Sequence, residues 1–155
     1  MRRARRSRTR SPTATTLDHT VVTKRYFTPE EASELLTAVR PLAERMVEHR
    51  HALTRAFERM ERLRAAVAGN GGDLRPREFG EAQAEAESAA AGVARCAEGI
   101  HELGGIVKDP EEGLVDFPAL RDGAEVLLCW RVGENEIRYW HSPEDGFAGR
   151  RELPL

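Results

Sequence analysis

The side chains best suited to chemistry are gathered in the last forty residues. Asp116 interrupts an otherwise apolar Leu-Val-Asp-Phe run, and Glu134 lies in a turn signal between Gly133 and Asn135. His141 ends a segment of alternating polarity, and Arg150 follows Gly146-Phe-Ala-Gly149. A carboxylate, an imidazole and a guanidinium beside Trp130 and Trp140 would suit a small acidic ligand. Asp116, Glu134 and His141 alone would offer oxygen and nitrogen ligands to one divalent metal. The competing reading is a clasp. Arg150 pairs with Asp116 or Glu134 and pins the end of the chain to a sheet, because a buried carboxylate needs a partner.

Other motifs carry less. Glu48…His51 and Glu98…His101 have the one-turn spacing used in di-metal helical bundles. Both pairs fall off the apolar seams, and folding the chain about residues 71–72 leaves them roughly 5–9 Å out of step. They read as surface charge. His49 does occupy a seam, as a polar core or register-setting residue. Cys96 and Cys129 read as small buried hydrophobes, and two cysteines make neither a disulfide framework nor a four-ligand zinc site. Gly69-Asn-Gly-Gly72 follows a helical pattern rather than a strand, so it is a loop and not a phosphate cradle. No cofactor is predicted, a divalent metal being the one ligand class kept open, and no residue is assigned a catalytic role.

These side chains must be positioned by an α+β chain. Thr28, Pro29 and Glu31 form a capping box with proline at the first helical position. Apolar residues then recur in heptads: Ala32, Val39, Met46, Leu53, Met60 and Val67 in one row, with Leu35, Leu42, Ala56 and Leu63 in the other. Pro41 predicts a kink, dividing the stretch into a short helix 29–40 and a long one 41–68. A second helix runs from about Pro76 to Gly104-Gly105, its seam rich in alanine. The two long helices are expected to lie antiparallel as a hairpin spanning 29–104. From residue 105 the period becomes two, and 106–109, 114–117, 125–132 and 136–141 read as a three- to four-stranded antiparallel meander. A tight turn at Glu134-Asn135 would set Trp130 opposite Tyr139 and Leu128 opposite His141, on the face toward the helices, with Cys129 and Trp140 on the other.

The 155 residues allow one domain, residues 25–155, behind a basic arm at 1–24 that reads as disordered. Six arginines fall in the first ten residues; without them 18 basic residues face 26 acidic ones, a net charge of −8. An acidic body is a poor nucleic-acid binder, so only the arm would favour that partner. No membrane-spanning run and no secretory leader is seen, which makes the cytoplasm the expected location.

Gly113-Leu-Val-Asp-Phe-Pro-Ala-Leu-Arg-Asp-Gly123, Leu128-Cys-Trp-Arg-Val-Gly-Glu134, Ile137-Arg-Tyr-Trp-His141 and Gly146-Phe-Ala-Gly-Arg150 are more specific than generic sheet sequence. Together with Tyr26-Phe-Thr-Pro-Glu-Glu-Ala32 they resemble the prokaryotic family catalogued as domain of unknown function 2203. The resemblance implies domain limits and a bacterial cytoplasmic setting, and no catalytic residue. The leading expectation is a small non-catalytic binding protein, a homodimer whose second copy covers the spare helix faces. The alternative is a metal-dependent or small-molecule enzyme using Asp116, Glu134, His141 and Arg150.

Overall fold

The computed structural model describes residues 24–70 and 75–155. The arm expected at 1–24 therefore lies, except for Lys24, outside the described residues. Two helices come first, α1 (Pro29–Asn70) and α2 (Pro76–Glu102), and five strands follow: β1 (Ile106–Asp109), β2 (Leu114–Arg121), β3 (Ala124–Arg131), β4 (Tyr139–His141) and β5 (Arg151–Glu152).

The start of α1 is the reciprocal cap that its sequence calls for. Glu31 N–H donates to Thr28 Oγ1 at 3.2 Å, and Thr28 N–H donates to Glu31 Oε2 at 2.8 Å. The division at Pro41 does not occur, since α1 is one 42-residue helix. Pro41 and Thr37 both sit on the exposed side, so the carbonyl that loses its donor is on the side open to water, while Val39, Ala43 and Met46 are buried on the other. α2 packs closely along α1. A Cβ added at Gly92 would run into the His49 ring, so the seam histidine fills the space that this glycine leaves.

The sheet is a five-stranded antiparallel meander in the order β1-β2-β3-β4-β5, the two-residue β5 being the strand that sequence patterning misses. β2 does not stop at Pro118 but continues to Arg121, where Asp122 (φ 51°) and Gly123 (φ 79°) make a two-residue turn into β3. Pro118 is tolerated because β1 has already ended beside it, and its carbonyl accepts the Phe27 N–H at 2.8 Å.

The expected tight turn at Glu134-Asn135 is absent. Residues 132–138 form a longer connection, and the register pairs Cys129 with Tyr139, Leu128 with Trp140 and Leu127 with His141. That is one residue out from the expectation, so every β4 side chain changes face. Arg40 holds the connection in place, donating to Glu134 O at 2.9 Å and Asn135 O at 2.8 Å while its guanidinium lies over Trp130.

The core lies between one face of the sheet (Val115, Phe117, Leu128, Trp130, Trp140) and the nearer half of the hairpin. The sheet reaches along α1 as far as Val47, which a Cβ at Gly113 would touch, and Arg50, which meets Glu111 at 3.3 Å. Beyond that the hairpin continues without it. Among the described residues no helix is long and apolar enough to cross a membrane.

Candidate functional site

The face of the sheet turned away from the helices should be the wet one, yet it carries three buried polar side chains. The Asp122-Gly123 turn sets Asp116 on β2 directly opposite Cys129 on β3, and Cys129 in turn lies opposite Tyr139 on β4. His141, two residues along β4, projects to the same side. Asp116 is 1% exposed, His141 2% and Cys129 0%.

His141 Nδ1 lies 2.7 Å from Ser142 O. A carbonyl only accepts, so Nδ1 carries a hydrogen. Nε2 then faces Asp116 Oδ2 at 3.2 Å, and that contact holds one further proton on one atom or the other. Asp116 Oδ1 is buried and has no hydrogen-bond partner. Burial pushes the Asp116 carboxyl above its ordinary range, against the pull of His141, Cys129 and Lys108. Burial, with Asp116 beside it, likewise pushes the Cys129 thiol up to about 12.

This is not a nucleophile's surroundings. The thiol is held protonated by burial and by the Asp116 carboxylate beside it, and both imidazole nitrogens are committed elsewhere, so the histidine does not act on the sulfur. What the three residues do share is ligating capacity. One carboxylate oxygen, Sγ and one ring nitrogen all lie within 4.8 Å of one another.

Glu134 and Arg150 form a separate pair on the other side of Cys129. Arg150 Nη1 and Nη2 meet Glu134 Oε1 and Oε2, each at 2.9 Å, and Glu134 Oε2 also accepts the Arg131 N–H at 2.9 Å. Nη2 reaches the Cys129 carbonyl at 3.4 Å. The guanidinium lies over the rings of Tyr139, at 4.3 Å, and Phe147, at 4.6 Å. Burial works to raise the Glu134 carboxyl, but the hydrogen bonds from Arg150 and the Arg131 amide outweigh it and hold the group below its usual range.

The six residues singled out in the sequence therefore separate into three groups. Asp116 and His141 come together, Glu134 and Arg150 pair with each other, and the two tryptophans stand on the opposite, helix-packed face. Trp130 donates its indole N–H to Glu134 O at 3.0 Å, as part of the wall of the core and not of a ligand site. Glu134 does not join Asp116 and His141 as a third ligand, because it is taken by Arg150. Cys129 stands in that place instead. A two-residue turn read at Asp122-Gly123 would have revealed it, since pairing 121 with 124 sets 116 opposite 129. The Glu-x-x-His residues Glu48, His51, Glu98 and His101 are all exposed.

No curated protein and no solved structure matches the chain. A family model does match, across residues 25–153, which takes in both helices, all five strands and both polar clusters. The chain thus belongs to the family described as uncharacterised conserved protein DUF2203.

Proposed function

We propose that the protein acts by binding rather than by catalysis, and that its partner is a second copy of itself, held through the far half of the helical hairpin. The observation that carries this reading is a continuity. The face of α1 and α2 that the sheet covers as far as Arg50 runs on as a mainly apolar groove lined by Leu53, Phe57, Met60, Phe79, Ala86 and Ala90, with Arg64, Gln83 and Glu87 also bordering it. Phe57 is 52% exposed there, a large aromatic half open among the described residues. A sheet layer and a helix layer are each about 10 Å thick. A second hairpin lying antiparallel in this groove would occupy the same layer as the sheet and meet its edge.

The areas agree with that partner. Some twenty helical residues beyond Arg50 make a face about 30 Å long and two helices wide. Pairing two such faces buries on the order of 1,200 Å² in total, the lower end of the range for a specific interface. The polar residues of the outer sheet face, by contrast, are largely engaged with one another, as expected of a protein that does no chemistry there. Two buried, unpaired cysteines fit a reducing cytoplasm.

Sedimentation analysis of the full chain tests the reading. A dimer is expected, and Phe57→Arg is expected to give a monomer of unchanged helicity. A wild-type chain that stays monomeric at about 1 mM overturns the proposal, as does a dimer indifferent to Phe57→Arg and to Met60→Glu.

A further inference from the structure

Beyond that binding role, and independently of it, we propose that Asp116, Cys129 and His141 form a zinc-type metal site, with the ion held by Sγ, Nε2 and a carboxylate oxygen. Three observations converge. One ligand-type atom from each of the three residues lies within 4.8 Å of the others, against roughly 3.3–3.6 Å for the edges of a tetrahedral zinc site built on bonds of about 2.0–2.3 Å. The Nε2–Oδ2 edge is already 3.2 Å. His141 Nδ1 is tied to a backbone carbonyl, the outer-shell contact that fixes a ligating histidine with its Nε2 lone pair turned toward the ion. Asp116 Oδ1, on a residue 1% exposed, has no partner, although a buried carboxylate oxygen left alone is costly. A chelated cation supplies the partner that Oδ1 lacks and the charge that this buried carboxylate requires.

The donor set selects the metal. A thiolate and an imidazole beside one carboxylate favour zinc, or cobalt(II) in its place, over magnesium and calcium, which take oxygen ligands throughout. The thiol proton leaves to solvent as the sulfur binds. With the three ligands at 0–2% exposure the ion is enclosed, and its place in the fold is structural. It ties β2, β3 and β4 together on the face of the sheet turned away from α1 and α2.

The probe is cobalt(II) added to the purified, metal-stripped full chain and followed by absorption. One ion per chain is expected, with the near-ultraviolet thiolate-to-cobalt band and the strong visible bands of a tetrahedral centre, both bleached by equimolar zinc. Zinc is also expected to raise the melting temperature. Cys129→Ser should remove the thiolate band and Cys96→Ala should keep it. If Cys129→Ser fails to fold, Asp116→Asn, which retains shape, serves in its place and should weaken cobalt binding at least tenfold. Absence of the thiolate band from the wild-type chain, its persistence in Cys129→Ser, or its loss in Cys96→Ala overturns the proposal.

Discussion

Arg150 makes two bonds to Glu134 and one to a backbone carbonyl, and its guanidinium lies over the rings of Tyr139 and Phe147, with Nε buried and unpaired. The bidentate pair is partly buried, with 13% of the Arg150 side chain and 21% of that of Glu134 exposed, so solvent screens it only in part. Arg150→Ala should therefore cost about 1–3 kcal/mol in urea unfolding near neutral pH, by leaving Glu134 a partly buried carboxylate held by the Arg131 amide alone and by removing the packing of the stem. The pH dependence has a definite sign. The Glu134 carboxyl is held below its ordinary value, so what it contributes is complete above the usual carboxylate range and is lost as pH falls through the lowered value. The difference between wild type and Arg150→Ala should accordingly shrink in acid, and a gap that widened there would place the pairing elsewhere. Which residues hold polar side chains was legible in the sequence, because Asp116 and His141 stand out in apolar strands. Their third neighbour was not, since a cysteine in a strand has the same pattern as a small hydrophobe until the register is known.

The two helices meet closely enough that one methyl group matters. Gly92→Ala should destabilise the chain, although alanine favours a helix by about 1 kcal/mol, because the new Cβ collides with the His49 ring. Gly80→Ala, in the same helix with open space around it, should stabilise by about 0.5–1 kcal/mol. Thermal unfolding of both variants and of the double variant His49→Ala/Gly92→Ala checks the pairing, the double being expected to recover most of the loss. At this scale heptad spacing located both helices, and alternation located four strands. Two features depended on what lies alongside and could not be read locally. Pro41 is accommodated because its side of α1 is open to solvent, and Pro118 because β1 has ended beside it. The face presented by β4 depended on a seven-residue connection anchored by Arg40, a contact 94 positions away in the chain.

The molecule as a whole has a thick end and a thin one. At the sheet end, α1 and α2 are covered by the sheet, whereas at the other end, among the described residues, each has only the other helix. In a monomeric variant such as Phe57→Arg, amide exchange should be markedly faster over residues 53–67 and 79–90 than over 32–46 and 93–103. In the wild-type chain at high concentration that contrast should diminish. Uniform protection in the monomer would mean that the far half of the hairpin is stable unaided.

The order in which the core is assembled follows from where its parts lie in the chain. The buried face of α1, Ala32, Leu36, Val39, Ala43 and Met46, rests against Phe117, Leu128 and Trp130, which come some seventy to a hundred positions later. During synthesis from the N-terminus this face leaves the ribosome early and remains bare of its sheet until most of the chain has been made. α2, arriving in between, adds Cys96 and Ile100 to the same cluster, with Val93, Ala97 and Leu103 partly buried against it. Nascent chains arrested before β3 are thus expected to bind a hydrophobic dye and to be cut readily within residues 29–50, and chains arrested after the whole sheet has emerged are not. α1 is made well before the sheet that shelters it.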